Sequence, residues 1–218
     1  MELSPSTIRW KINKAPESLD AQEKDFLNDL ITEKLGYQAP DENAVLSIPE
    51  PEQTKELATP EGDPYKEVYA KSPNQSGKIK PKFIVIHDSY GSHAGTRSWI
   101  LKRKSGVSYH YLIASNGDRT QFVYDTKKSW HAGRSYWKGY NGLNSHSIGI
   151  AFWGNTYERN PSFKEIDSAA RKIVYLMNKF KIPVENILTH KQIAPKRKND
   201  TSPKTIKRVL ARVEKLQK

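Results

Sequence analysis

All six histidines of this 218-residue chain lie after residue 86: His87, His93, His110, His131, His146 and His190. Two of them share one setting. His87 follows the apolar run Phe83-Ile84-Val85-Ile86, and His190 follows Ile187-Leu188-Thr189. Short apolar runs of this kind read as buried strands. Both histidines would then stand at strand ends, where sheet proteins commonly build sites. A catalytic zinc needs three protein ligands and one open position. Asp200, in the polar segment Lys198-Asn199-Asp200, is the third candidate. On chemistry alone the pattern stays open. Two distant histidines and an aspartate define no motif, HExxH is absent, and each histidine could equally be a hydrogen-bonded core or surface residue. The chain has no cysteine. That excludes disulfides, Cys-type zinc fingers, iron–sulfur clusters and a thiol nucleophile.

The surrounding segments must position these residues. Residues 96–104 read as a short helix and 108–114 as an aromatic strand. Asn116-Gly117-Asp118 then turns the chain into a strand over 119–124. Residues 147–153 read as another buried strand. Ile166, Ala169, Ala170, Ile173, Val174 and Met177 recur at helical spacing within 162–180. A basic helix closes the chain over 203–217, with Ile206, Val209, Leu210 and Val213 inward. Strands alternating with helices imply an α/β domain, a central mixed β-sheet flanked by helices.

The N-terminal part differs. Residues 18–35 form an amphipathic helical pattern, with Asp20 as cap, Phe26, Leu27, Leu30 and Ile31 as its stripe, and Gly36 as its stop. Residues 37–80 are rich in proline and read as a linker or extended region. The expected organisation is therefore a helical segment over 1–36, a linker or extended region over 37–80 and a catalytic domain over 81–218. The charge divides at the same place. Residues 1–80 hold 10 basic and 15 acidic side chains, and residues 81–218 hold 26 and 9, so the overall +12 is a net −5 followed by +17. A basic domain suggests an anionic partner: nucleic acid, anionic lipid or an anionic wall polymer. No apolar run approaches the roughly 20 residues that a membrane span needs. The first ten residues lack a basic stretch followed by an apolar one, so no secretory signal is expected.

The stretches FIVIHDS (83–89), SYHYLIASNGD (108–118), WHAG (130–133), NSHSIGIAFWGN (144–155) and ILTHKQIAPKRKNDTSP (187–203) carry a resemblance. In this order, over roughly 120 residues, they resemble the type 2 N-acetylmuramoyl-L-alanine amidases, a family that includes phage lysozyme-like amidases and peptidoglycan recognition proteins. The first 80 residues are not covered. The resemblance implies one zinc ion per chain, held by His87, His190 and Asp200, the three residues that strand-end chemistry also singled out. It implies catalytic roles for Lys198, stabilising the charge that develops on the attacked carbonyl, and for Tyr109, orienting water or moving a proton. His131 would line the substrate groove. Trp137 in its polar segment could stack on a sugar, and Arg134 could bind a peptide carboxylate.

The implied substrate is peptidoglycan, cut at the amide between the lactyl group of N-acetylmuramic acid and L-alanine. Anionic envelope polymers are further candidate partners, specific nucleic-acid binding is not expected, and the oligomeric state is left open. One departure matters. Some intracellular members that recycle wall fragments carry Glu directly after the SIGI stretch, where this chain has Ala151. That favours a phage endolysin or virion-associated lysin, made in the host cytoplasm and acting on the wall after release, or carried in a virion. The alternative is a recognition module that binds peptidoglycan without cutting it.

Overall fold

The computed structural model describes residues 54–218. The amphipathic helix expected over 18–35, and the expected linker up to residue 53, lie outside the described residues. Eleven strands and four helices are described: β1 Thr54–Leu57, β2 Glu67–Ala70, β3 Gln75–Lys78, β4 Phe83–Asp88, α1 His93–Ile100, β5 Tyr111–Ile113, β6 Arg119–Gln121, β7 Lys127–Ser129, β8 Tyr136–Trp137, β9 Tyr140–Asn141, β10 Ser147–Phe152, α2 Phe163–Phe180, β11 Ile187–Thr189, α3 His190–Ile193 and α4 Pro203–Gln217.

Seven strands form the central sheet in the order β1-β2-β6-β5-β10-β4-β11. It is mixed, as expected. The β5-β10, β10-β4 and β4-β11 pairs are parallel, and the β5-β6 pair is antiparallel. Strands alternate their side chains between two faces, and here the faces have different covers. Ile84, Ile86, Ile148, Ile150 and Phe152 pack beneath α2 and α4, against Ile166, Ile173, Leu176, Val209 and Val213. Phe83 and Val85 point the other way, into a smaller cluster with Leu143, Ile193 and Ala194. Period two puts His87 on this second face, away from α2 and α4.

Local chemistry explains the element ends. Ser162 and Glu165 form a reciprocal capping box at the start of α2. Ser202 caps α4, whose first residue is Pro203, where the missing N–H costs nothing. Gly117 turns β5 into β6 at φ +91°, and a Cβ there would run into the Tyr65 ring.

Two expectations need correction. Strand structure over 108–114 is confined to Tyr111–Ile113. The His110 imidazole folds back, its Nδ1 accepting the Gly149 backbone N–H at 3.0 Å. A side chain thus takes the hydrogen bond that a strand ladder would use. The linker reading also fails over residues 54–80. These contribute β1 and β2 to the central sheet, and β3 pairs with β7. Tyr65, Tyr69 and Ala70 are buried, and part of the reason is electrostatic. Glu67 in β2 is buried against Arg119 of β6 and Lys172 of α2, so the segment is tied to the domain by ion pairs that hydropathy does not show.

Candidate metal centre

Strand register brings the two histidines together. Ile187, Leu188 and Thr189 of β11 lie beside Ile84, Val85 and Ile86 of β4. His190 is therefore carried next to His87. On the other flank, β10 sets Ala151 beside His87. Asp200 comes from the loop after α3, which is folded onto the site by Lys191 N donating to Asp200 O at 2.7 Å.

The three side chains converge. His87 Nδ1 lies 3.0 Å from His190 Nδ1 and 3.5 Å from Asp200 Oδ2, and His190 Nδ1 lies 3.2 Å from Asp200 Oδ2. All three residues are buried, and they form a group whose donor atoms all lie within 4.8 Å of one another. Burial, and then the neighbouring His190, lowers the His87 pKa to about 4, so the ring is neutral at pH 7. Burial opposes ionisation of Asp200, but the adjoining His190 outweighs it and holds the carboxyl well below its ordinary range. A neutral imidazole and an ionised carboxylate are the ligand forms that a metal requires.

Two observations test the fit of a metal ion. His190 Nε2 lies 3.3 Å from the Ala132 carbonyl and 3.4 Å from the Arg197 guanidinium, which leaves Nδ1 facing His87 Nδ1 and Asp200 Oδ2. Asp200 Oδ1, moreover, is buried with no hydrogen-bond partner among the described residues. Two imidazole nitrogens and a carboxylate with an unpartnered oxygen thus converge on one buried point. Two imidazoles and one carboxylate suit zinc.

A cleft of about 390 Å³ opens over this cluster, and its lining includes Tyr109, Trp130, His131, His190, Lys198 and Asp200. The Tyr109 ring centroid is 5.3 Å from that of His87, and its hydroxyl approaches the Asp88 carbonyl at 3.5 Å. Burial, with the charges of Asp200 and Asp88, pushes the Tyr109 pKa up, which keeps the hydroxyl a donor. Lys198 is half-buried in the same wall, and its charge acts on His87.

The sequence-expected residues thus fall into two places. His190, Asp200, Tyr109, Lys198 and His131 line the cleft, and His87 lies buried against them. Arg134 and Trp137 instead line an adjoining groove of about 680 Å³, with Lys138, Ile193, Lys196 and Arg197. Arg197 borders both. His131 is buried, its Nδ1 2.9 Å from His87 Nε2 and its Nε2 3.3 Å from Ser147 Oγ. Both ring nitrogens are engaged within the protein, and the residue lies in the lining of the cleft, as its place in WHAG implies for a groove residue.

Sequence reasoning missed the supports. Asn144 Oδ1 accepts the backbone N–H groups of both His131 and Ala132. Asp88 accepts from Thr156 and Thr201. Only Asp88 carried a signal, its place directly after His87.

Comparison with known proteins decides the family. The N-acetylmuramoyl-L-alanine amidase family model matches residues 77–203. The chain belongs to this family. It is 31% identical over 147 residues to the Escherichia coli N-acetylmuramoyl-L-alanine amidase AmiD, covering 59% of this chain and 51% of AmiD. It is 34% identical over 124 residues to the Haemophilus influenzae 1,6-anhydro-N-acetylmuramyl-L-alanine amidase AmpD, covering 57% and 61%. The chain thus spans about half to three fifths of the length of these relatives. Among solved structures, an AmpD selenomethionine derivative matches with a TM-score of 0.57 at 25% identity, over 66% of this chain and 93% of that one. E. coli AmiD in complex with anhydro-N-acetylmuramic acid-L-Ala-D-γ-Glu-L-Lys matches with a TM-score of 0.52 at 25% identity, over 61% and 59%.

Proposed function

We propose that this chain is a zinc-dependent N-acetylmuramoyl-L-alanine amidase. It would hydrolyse the amide between the lactyl group of N-acetylmuramic acid and L-alanine in peptidoglycan. The observation that carries this reading is the convergence of His87 Nδ1, His190 Nδ1 and Asp200 Oδ2 at a cleft that Tyr109 and Lys198 also line. His87, His190 and Asp200 would hold one zinc per chain. When bound, zinc supplies Lewis acidity, which lets water attack an amide near neutral pH.

The chain's own groups do the rest. Attack on the carbonyl carbon places negative charge on its oxygen. The Lys198 ammonium, on the cleft wall, stabilises that charge in a site partly screened from water. The Tyr109 hydroxyl donates a hydrogen bond that orients the attacking water or the carbonyl. The adjoining groove would take the rest of the muropeptide. Its rim carries Arg134, Lys138, Lys196 and Arg197 and no acidic residue, which suits the carboxylates of a stem peptide. Trp137 Nε1 is buried and unpartnered among the described residues, so it has a donor to offer a sugar or peptide carbonyl. The net +17 of residues 81–218 supports attraction to an anionic wall and its associated polymers rather than specific nucleic-acid binding. Ala151, set beside His87, puts no carboxylate at that point of the site. This supports a lytic enzyme of the endolysin or virion-associated kind over a recycling one. No helix among the described residues is long and apolar enough to cross a membrane.

The test is zinc content together with peptide release from labelled cell walls, for the parent chain and for His87→Ala, His190→Ala and Asp200→Ala. The parent should bind one zinc and release peptide; each variant should lose both. A parent that bound walls without zinc and without cutting them would instead be a recognition module. Near-normal cleavage in any variant would refute the ligand assignment.

A further inference from the structure

His131 touches no carboxylate among the described residues, and its surroundings settle where its proton sits. Ser147 Oγ lies 2.5 Å from the Leu143 carbonyl and 3.3 Å from His131 Nε2. A hydroxyl has one proton, and a carbonyl can only accept, so that proton goes to Leu143. Ser147 then faces His131 with a lone pair, and His131 Nε2 must donate. A neutral imidazole has a single N–H. His131 Nδ1 therefore carries a lone pair, and it faces His87 Nε2 at 2.9 Å. His87 Nε2 must donate in turn. That leaves the His87 lone pair on Nδ1, the nitrogen facing His190 and Asp200. Each assignment is forced by the one before it, back to a carbonyl with no choice.

The ring is also held mechanically. It lies on Gly149 of β10, where a Cβ would come within 2.6 Å of His131 Cγ. Its backbone N–H, with that of Ala132, is held by Asn144 Oδ1 at 3.0 and 2.6 Å. The WHAG segment is pinned from the side and the imidazole from below.

We infer that His131 is a positioning residue: with Ser147 and the Leu143 carbonyl it fixes His87 in the tautomer that presents Nδ1 to His190 and Asp200. Its bearing on metal binding rests on the reading of these three as zinc ligands. The hydrogen-bond order does not. Outer partners of this kind typically change metal affinity by about ten- to a hundredfold.

The experiment has two parts. Histidine ¹⁵N NMR of the metal-free full chain should show His87 and His131 both protonated at Nε2 and bare at Nδ1. Zinc competition against a chelator should then rank the variants. His131→Asn places an amide oxygen where Nδ1 stood and should stay within a few-fold of the parent. His131→Gln and His131→Leu remove that acceptor and should lose about ten- to a hundredfold. His87 protonated at Nδ1 in the parent overturns the inference, and so does parental zinc affinity in His131→Leu. Should the variants not fold, the tautomers of the parent decide alone. A parent with the stated tautomers that bound no zinc would sink the metal reading and leave the relay standing. A parent that bound zinc with the opposite tautomer would do the reverse.

Discussion

Glu67 offers a sharp test of how the domain is built. It lies in β2, within a segment whose sequence reads as linker, yet its side chain is almost wholly buried. Its Oε2 accepts from Arg119 Nε at 2.7 Å, and the Lys172 ammonium sits 2.7 Å from the same oxygen and 3.0 Å from Oε1. Arg119 has a second carboxylate, Asp63, at 2.6 Å. Lys172 is 4% exposed and hydrogen-bonds to Glu67 as its one carboxylate among the described residues. Glu67→Gln preserves shape but removes the charge. It leaves a buried ammonium facing a neutral amide in place of its counter-charge. Breaking a buried ion pair on one side costs about 3–5 kcal/mol, a large part of the roughly 5–15 kcal/mol that holds a domain folded. At about 2–4 °C per kcal/mol for a domain of this size, the melting temperature should fall by roughly 6–20 °C. The assay is a thermal melt of the full chain followed by circular dichroism. Adding Lys172→Met to Glu67→Gln removes the stranded cation, so the double variant should be more stable than Glu67→Gln alone. Zinc affinity at 25 °C should not change, because β2 is separated from β4 by β6, β5 and β10. A drop of less than about 2 °C, or a double variant no better than the single one, would refute the view that residues 54–80 are locked into the domain by charge. The same reasoning makes a fragment starting at residue 81 a poor catalytic domain, since it lacks both Glu67 and Asp63.

Two further outcomes follow from the site. Tyr109→Phe and Lys198→Ala should keep zinc while slowing cleavage of labelled walls by about a hundredfold or more; loss of zinc in either would reassign that residue to holding the metal centre. Acid should destabilise the metal-free fold before most carboxylates titrate. Burial lowers the His110 pKa to about 4 against an ordinary value of 6.5, so on acidification the unfolded chain takes up its proton first. The stability contributed by His110 is therefore complete above pH 6.5 and lost as pH falls towards 4, amounting to roughly 3 kcal/mol. Urea midpoints measured with a chelator at pH 7 and pH 4.5 should show the decline, and equal midpoints would contradict it.

Much of this was legible in the chain, for reasons that differ from element to element. Phe83 to Ile86 and Ile148 to Phe152 are continuous apolar or small runs because both faces of these central strands are covered, and α2 declares itself by a long periodic stripe. The strands β1 to β3 were not legible. TKEL and QSGK are polar, prolines flank them, and what anchors the segment is Glu67, whose partners lie 52 and 105 residues away. The strands β7 to β9 are two or three residues long and exist only through their pairing partners. In the site, His87, His190 and Asp200 could be chosen because their chemical type and strand-end setting are local properties. Ser147 and Asn144 could not be. Their function is to meet His131 from other segments, and neither their type nor their neighbours show it.

Adjacent residues at the end of β4 also explain how one strand can organise a site whose third candidate ligand lies in a loop. Successive side chains leave a strand on opposite faces. His87 faces His190 and Asp200, and the Asp88 carboxylate is taken up by two threonines. Its Oδ2 accepts from the Thr156 N–H and hydroxyl at 2.9 and 2.8 Å, and its Oδ1 accepts from the Thr201 hydroxyl at 2.7 Å. Thr201 is the residue after Asp200, and Ser202 N donates to Thr156 Oγ1 at 2.9 Å. The Asp88 backbone N–H reaches Asp200 Oδ2 directly at 3.3 Å. The strand end thus supplies one candidate ligand and, through the next residue, holds the loop that delivers another. His190 needs no such clamp, because strand register already sets it beside His87. Asp200, arriving from a loop, has no register to place it, and the buried Asp88 carboxylate with its two threonines does the placing.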